Sequence, residues 1–187
     1  MHAQSPLPPA RCDTAQRLRV IEAAFALGVP RDYGRKHRQR VVREPRELLS
    51  IGDDIHGRHQ WLAPGAARAW LRMRSAAAAD GIELQVVSAF RSAAYQLVII
   101  ERKLERGLSM DEILQVSAAP GFSEHHSGRA LDISTPDYAA LEEEFEDSPA
   151  FAWLQREARR FGYALSYPRG NRHGIAYEPW HWCWHRP

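Results

Sequence analysis

The chain has 187 residues, 44% of them hydrophobic and 26% charged, which suits one globular domain with a buried core. Its formal net charge of +2 provides no global field that would recruit nucleic acid or an anionic membrane surface. The two cysteines, Cys12 and Cys183, form no Cys-x-x-Cys pair and no disulfide framework. One bridge between them and two free thiols both stay open, so the sequence leaves their redox state undecided.

No apolar run in the sequence approaches the roughly 18 residues that a transmembrane helix needs. Residues 1–12 contain three prolines and no hydrophobic stretch, so we expect a flexible lead without a secretory signal. Localisation stays open on this evidence. A helix is predicted over residues 14–27, because Asp13 suits its N-cap and Gln16 suits the capping-box partner.

Two further N-terminal segments are polar. Residues 31–46 are rich in arginine, and we interpret them as solvated surface because no aromatic stacking residue or nucleic-acid motif accompanies them. Residues 52–64 are predicted to form a loop. We treat residues 1–60 as an N-terminal extension of unknown role and residues 61–187 as the main domain.

The main domain alternates helical and strand-like patterns. A helix with Ala66, Trp70 and Met73 on one face should end at Asp80-Gly81. Further predicted elements follow in chain order: a strand over 84–87, a helix from 93 to about 106, a short helix from 110 to 116, a strand around 132, a helix from 149 to 161, a strand over 163–167 and a final strand over 175–184. Residues 137–147 are acidic and are predicted to be a solvated helix surface rather than a metal-binding loop. The order predicts a compact α+β domain.

The segment Ser123-Glu124-His125-His126-Ser127-Gly128-Arg129-Ala130-Leu131-Asp132 concentrates polar chemistry. A turn at Gly128 would bring His125 from a loop close to Asp132 on a strand. An aspartate between Leu131 and Ile133 needs a partner or a metal ion, because burying an unpaired charge is costly. Histidine and carboxylate are zinc ligands, and catalytic zinc sites take three protein ligands. The segment therefore predicts two of them.

A second polar cluster near the C-terminus, Tyr177-Glu178-Pro179-Trp180-His181, completes the hypothesis. His181 would be the third ligand, and Glu178 the general base for a water molecule. Residues three apart on a regular strand face opposite sides, so Pro179 must bend the chain if Glu178 and His181 are to face one site.

These motifs resemble the VanY-type D-alanyl-D-alanine carboxypeptidases. The resemblance rests on Ser123-x-His125-x-x-Gly128-x-Ala130-x-Asp132, on Glu178-Pro179-Trp180-His181, and on Ser88-Ala89-Phe90-Arg91-Ser92-x-x-x-Gln96, and it covers residues 60–184. It implies a zinc peptidase acting on peptidoglycan stem peptides. The implied fold is a small central antiparallel sheet flanked by helices, shared with the hedgehog signalling domain.

The resemblance also implies roles for individual residues. His125, Asp132 and His181 match the ligands of Zn²⁺, and Glu178 matches the catalytic base. Arg91 matches an arginine that stabilises the oxyanion or anchors substrate, which suits its forked, permanently charged donors. Ser123 and Gln96 match residues that hold the terminal D-alanine. The chain departs from the family pattern at several positions: Ala89, Phe90, Ser166, His173 and Trp182–His185.

Other functions stay open. One alternative is a peptidase of the same fold, either an L,D-carboxypeptidase or an L-alanyl-D-glutamate endopeptidase. Another is a zinc-stabilised binding domain without catalysis, against which the retained Glu178 argues. His126, His173 and His185 are spare histidines, and we do not expect them to be ligands.

Overall fold

A four-stranded antiparallel sheet organises the C-terminal part of the protein, which we describe from a computed structural model covering residues 7–186. Its strands are β3 (Gln85–Ser88), β4 (Ala130–Ser134), β5 (Tyr163–Leu165) and β6 (His181–Trp184), in the spatial order β3-β4-β6-β5. β4 is buried along its whole length, in keeping with its central place. The register pairs Asp132 with both Ser88 and His181, so the sheet itself sets Asp132 beside His181.

The part of the chain that the structure describes contains six α-helices. They are α1 (Thr14–Ala26), α2 (Tyr33–Lys36), α3 (Pro64–Ala79), α4 (Ala93–Glu105), α5 (Met110–Val116) and α6 (Pro149–Glu157). The capping box of Asp13 and Gln16 opens α1 as predicted, and Ser109 with Glu112 opens α5 in the same way. No helix within residues 7–186 combines the length and apolarity that a membrane crossing requires.

Two hydrophobic clusters hold these elements together. The larger one packs α3 and α6 against the central sheet around Trp70, Leu131 and Leu154, all nearly inaccessible to solvent. The smaller one joins the N-terminal segment to the main domain through Tyr33 and Phe122. Burial of these apolar surfaces supplies the main favourable free energy of folding. The mixed helix and strand architecture confirms the α+β prediction, whereas the proposed domain boundary at residue 60 stays a prediction.

The prediction of a loop over residues 52–64 is wrong. Most of it forms a two-stranded hairpin, β1 (Leu49–Asp53) and β2 (His59–Leu62), and α3 already begins at Pro64. Its tight turn is built by the Asp54 carboxylate, which accepts hydrogen bonds from the backbone N–H groups of His56 and Arg58. Polar composition concealed the strands, because an aspartate that caps a turn looks the same in sequence as an aspartate in a loop.

Three other predicted elements differ from the structure. The final strand is confined to β6, and residues 175–180 are irregular because Pro179 lacks the N–H that a central strand would use. The acidic segment forms only a short 3₁₀ helix, Glu143–Asp147, after turns. The helix that starts at Pro149 is α-helical only to Glu157 and continues as a 3₁₀ turn over Ala158–Phe161.

Candidate metal and catalytic site

Three predicted ligands meet at the edge where β4 and β6 pair. His125 lies in a 3₁₀ helix, Glu124–Ser127, that Ser123 caps and Gly128 ends in a left-handed conformation at φ 63°. That turn leads directly into β4, which carries Asp132, while β6 begins at His181. One potential ligand atom from each residue lies within 4.8 Å of the others, and all three side chains are buried.

The distances show which atoms face the shared space. His125 Nε2 lies 3.2 Å from one oxygen of Asp132, and His181 Nδ1 lies 3.0 Å from the other. The two imidazole rings meet edge to face with centroids 4.9 Å apart. Two imidazole nitrogens and one carboxylate are a donor set that zinc accepts in catalytic sites.

The opposite nitrogen of each histidine is also engaged. His125 Nδ1–H donates to the Ala89 carbonyl at 2.6 Å, and His181 Nε2–H donates to Glu124 at 3.0 Å. Such outer contacts fix the tautomer and the ring orientation of metal-binding histidines. The cluster therefore fits a divalent metal ion in its donor types and in the partners that orient its donors. Glu124 has a role here that the sequence reasoning missed, although it stands next to His125 in the motif.

Charge coupling dominates the electrostatics of the cluster. Burial opposes ionisation of Asp132, yet the two histidines hold the pKa of its carboxyl well below the usual range. Burial would lower the pKa of His181, but hydrogen bonds to Asp132 and Glu124 raise it to about 10. Burial would raise the pKa of the Glu124 carboxyl, but its hydrogen bond with His181 lowers that pKa to about 2. A metal ion would replace the proton on His181 Nδ1, since ligands bind in their deprotonated form.

Glu178 lies beside the three ligands. Its Oε2 is 3.8 Å from His181 Nδ1, and a backbone hydrogen bond from the His181 N–H to the Glu178 carbonyl closes the turn through Pro179. This is the bend that the sequence required. Burial, offset in part by His181, raises the pKa of the Glu178 carboxyl to about 7. A carboxylate with such a pKa is suited to taking up and returning a proton near neutral pH.

Arg91 faces the same cavity from the segment before α4. Its Nε is buried and has no hydrogen-bond partner within residues 7–186. Both backbone polar groups of Arg91 are hydrogen-bonded. Its N–H donates to the His125 carbonyl at 3.3 Å, and its carbonyl accepts from His126 Nδ1–H at 2.6 Å. Burial lowers the pKa of the guanidinium, while Asp132 and Glu178 act in the opposite direction.

The two predicted substrate residues are placed differently. Ser123 is buried and lines the cavity, and its Oγ accepts a hydrogen bond from the His125 N–H at 3.4 Å. Gln96 is buried on α4 outside the cavity lining, and its Nε2–H donates to the Ala118 carbonyl at 2.9 Å. The structure thus brings Ser123 to the site and leaves Gln96 behind the wall that Ala118 forms.

The cavity has a volume of about 530 Å³, enough for a short peptide end. Beyond the residues described above, its lining adds Lys103 and Ser117 from the α4–α5 side, and Tyr167, Tyr177 and Trp180 from the C-terminal side. The spare histidines stay out of the cluster. His126 holds Arg91, His173 Nδ1 is bonded to the His37 carbonyl, and His185 is exposed.

Comparison with known proteins gives a consistent family. Residues 59–187 match the sequence profile described as VanY, D-alanyl-D-alanine carboxypeptidase. The putative carboxypeptidase YodJ of Bacillus subtilis is 34% identical over 126 residues, which are 65% of this chain and 45% of that protein. The bifunctional D-Ala-D-Ala dipeptidase and carboxypeptidase VanXYC of Enterococcus gallinarum is 31% identical over 155 residues, covering 79% of this chain and 78% of that protein. The chain therefore spans less than half the length of the Bacillus relative.

Solved structures agree on the fold. The LdcB LD-carboxypeptidase superposes with a TM-score of 0.68 at 29% identity, over 78% of this chain and 71% of that one. A Zn(II) complex of a variant of the D,D-pentapeptidase VanY superposes with a TM-score of 0.57 at 25% identity, over 74% of this chain and 78% of that one. These neighbours support the expected hedgehog and DD-peptidase type of fold.

Proposed function

Because the chain belongs to the VanY D-alanyl-D-alanine carboxypeptidase family, we propose that it is a zinc-dependent carboxypeptidase that removes the terminal D-alanine from peptidoglycan stem peptides. The observation that carries this proposal is the convergence of His125, Asp132 and His181 with Glu178 beside them. The Zn(II) complex of a related VanY structure supports zinc as the ion.

Each residue of the site has a defined task in this proposal. A bound zinc ion would acidify a water molecule and polarise the scissile carbonyl. Glu178 accepts the proton of the attacking water and returns it to the leaving amine of D-alanine. Arg91 donates hydrogen bonds to the oxygen that becomes negatively charged, in a site partly shielded from water. Ser123 faces the D-alanine. Gln96 acts indirectly, because its hydrogen bond to the Ala118 carbonyl holds that part of the cavity wall in place.

An L,D-carboxypeptidase is the second candidate. The LdcB LD-carboxypeptidase superposes with a TM-score of 0.68, against 0.57 for the VanY structure in its Zn(II) complex. Both activities use the same hydrolytic chemistry, so they differ in the residue that precedes the released D-alanine rather than in the metal site.

Amino-acid release from defined peptides tests the proposal. The zinc-loaded full chain should release D-alanine from a pentapeptide ending in D-Ala-D-Ala, and Glu178→Ala should reduce the rate by at least about 10²-fold. Glu144→Ala is the matched control, since Glu144 is exposed. Faster release from the tetrapeptide would identify the L,D-activity. Peptide binding without release of any amino acid would instead identify a non-catalytic binding domain.

Zinc content tests the ligand assignment separately from activity. Wild-type protein should hold one zinc ion per chain after dialysis against trace metal, and His125→Ala and Asp132→Ala should each lose most of it. Undiminished stoichiometric zinc in either variant would refute the assignment. Circular dichroism of each variant distinguishes loss of a ligand from loss of the fold.

A further inference from the structure

The cavity wall formed by α4 carries a lysine for which the proposed chemistry has no use. Lys103 is partly buried, and its Nζ donates to the Ser117 Oγ at 2.7 Å. Ile99, one helical turn earlier, lines the same cavity, so this face of α4 is part of the wall. Within residues 7–186, no carboxylate oxygen lies within 4 Å of Lys103 Nζ.

Arg91 faces the same cavity and likewise forms no ion pair with any described carboxylate. Withdrawing a charged group from water costs free energy unless an opposite charge compensates it. Burial and the neighbouring Arg91 lower the pKa of Lys103, and the carboxylate of Glu178 offsets this lowering only in part. Two cations on one wall, next to a site for a divalent metal ion, favour an anionic ligand.

The rest of the cavity restricts what that anion can be. Glu142 and Glu143 also line the cavity, so a polyanion such as a nucleotide would meet repulsion there. A peptide that carries carboxylates at some positions and amides or ammonium groups at others suits both the cations and the carboxylates of the lining. The chemical class that fits Lys103 is therefore a peptide carboxylate, bound as a charge-assisted hydrogen bond.

We propose that Lys103, oriented by Ser117, binds a carboxylate of the peptide substrate and is a specificity-determining residue of this site. The inference rests on the proposed function and adds a subsite to it. Gln96 supports the subsite indirectly, because its bond to the Ala118 carbonyl fastens the Ser117–Ala118 segment to α4. Two carboxylates have the required chemistry: the C-terminal carboxylate of the released residue and the free carboxylate of a D-glutamate within the stem.

The test compares Lys103→Met with Lys103→Arg and with Arg102→Met, which removes an exposed charge from the next position of the same helix. For D-alanine release by the zinc-loaded full chain, Lys103→Met should raise KM on the order of tenfold to a hundredfold, the usual worth of a hydrogen bond to a charged group. Its kcat should change far less, because binding rather than chemistry is lost. Lys103→Arg should restore most of the affinity.

Two peptide series identify which carboxylate is bound. In the first, an acetylated tripeptide ending in D-Ala-D-Ala carries only its terminal carboxylate. In the second, the stem D-glutamate is either free or amidated. A loss with every peptide identifies the terminal carboxylate, and a loss confined to the free D-glutamate peptide identifies the stem carboxylate. Equal KM values for Lys103→Met and Arg102→Met with all peptides would overturn the inference.

Failure of the proposed function would look different. In that case wild-type protein would release no amino acid from any peptide, and calorimetric binding of the same peptides to wild type and Lys103→Met would replace KM as the readout. Weaker binding by Lys103→Met would keep the subsite without the hydrolysis. Unchanged binding, or no binding to wild type, would overturn the subsite as well.

Discussion

Glu124 accepts a hydrogen bond from Nε2 of His181 at 3.0 Å, on the far side of the ring from Asp132, which lies 3.0 Å from Nδ1. The imidazole is thus held between two carboxylates. The Ser166 hydroxyl donates to the same Glu124 oxygen at 2.6 Å and fixes the carboxylate in turn. This chain of contacts ties the β6 ligand to the 3₁₀ helix that carries the His125 ligand. It makes Glu124 a positioning residue for the proposed zinc.

Removing Glu124 should therefore weaken metal binding without removing a ligand. We expect Glu124→Ala to lower zinc affinity about 10- to 100-fold, the usual cost of losing a partner that orients a metal-binding histidine. Glu124→Gln keeps an acceptor for His181 and should lose less. Competition with a chromogenic chelator measures the affinity directly, and Glu144→Ala serves as the exposed control. Equal affinity for wild type and Glu124→Ala would show that His181 needs no such support.

His126 should be structural rather than metal-binding. It is fully buried and neutral, with its pKa lowered to about 3 chiefly by burial. Nδ1–H donates to the Arg91 carbonyl, and Nε2 accepts from the Gly121 N–H at 3.1 Å. His126→Ala leaves both backbone groups without this partner and should lower the free energy of unfolding by about 3 kcal/mol.

Denaturant unfolding of His126→Ala and His126→Gln measures this cost, and the glutamine should recover part of it because it offers a donor and an acceptor. Zinc stoichiometry should stay at the wild-type value in both folded variants. Loss of zinc from folded His126→Gln would contradict a purely structural role.

The fold class and the three candidate metal ligands could be predicted from the sequence, whereas the long-range contacts that bring these ligands together could not. His125, Asp132 and His181 could be proposed together because an aspartate between two apolar strand residues demands a partner, and a Glu-Pro-Trp-His run needs a bend. The cross-strand pairing of Asp132 with His181 could not be derived, since register depends on contacts between segments 49 residues apart. Glu124 was missed for the same reason: its partner Ser166 is 42 residues away.

The errors elsewhere have related causes. The sequence predicts a loop where the β1–β2 hairpin lies, because Asp54 builds the turn by side-chain capping and composition alone does not distinguish a capping aspartate from a solvated one. The role of Gln96 in binding substrate stays a prediction from the resemblance, and its amide N–H donates to the Ala118 carbonyl. Helices with local caps, such as α1 and α5, were predicted well because a capping box lies within four consecutive residues.

Gly128 should tolerate no side chain, because it combines a left-handed backbone with a close approach. A Cβ at this position would lie 2.9 Å from the backbone nitrogen of Ala63 and 3.2 Å from Cγ of Pro45, and φ is +63°. The Ala63 N–H also donates to the Gly128 carbonyl at 2.8 Å, so moving the two segments apart would break this hydrogen bond. We expect Gly128→Ala to destabilise the fold by about 3 kcal/mol.

Gly170→Ala is the matched control for this substitution. Gly170 has a similar φ of +68° but no atom within 4 Å of the added Cβ, so it reports the backbone cost alone, about 1 kcal/mol. Thermal or denaturant unfolding of both variants separates the two contributions. Equal destabilisation would mean that the contact with Ala63 costs nothing.

Tyr33 should make stability fall at alkaline pH. It lies in the smaller hydrophobic cluster and is inaccessible to solvent, and burial raises the pKa of its hydroxyl to about 12. A raised pKa means that the unfolded chain loses this proton first. The contribution of Tyr33 is therefore fully present below the unfolded pKa of about 10 and is lost as pH rises towards 12.

Tyr33→Phe removes this titration, so its stability relative to wild type should rise by about 2 kcal/mol between pH 9 and pH 12. Urea unfolding at a series of pH values measures the difference, with Tyr95→Phe as control because Tyr95 is 50% exposed. A pH-independent difference between Tyr33→Phe and wild type would contradict burial of Tyr33, and with it the packing of the N-terminal segment on the main domain.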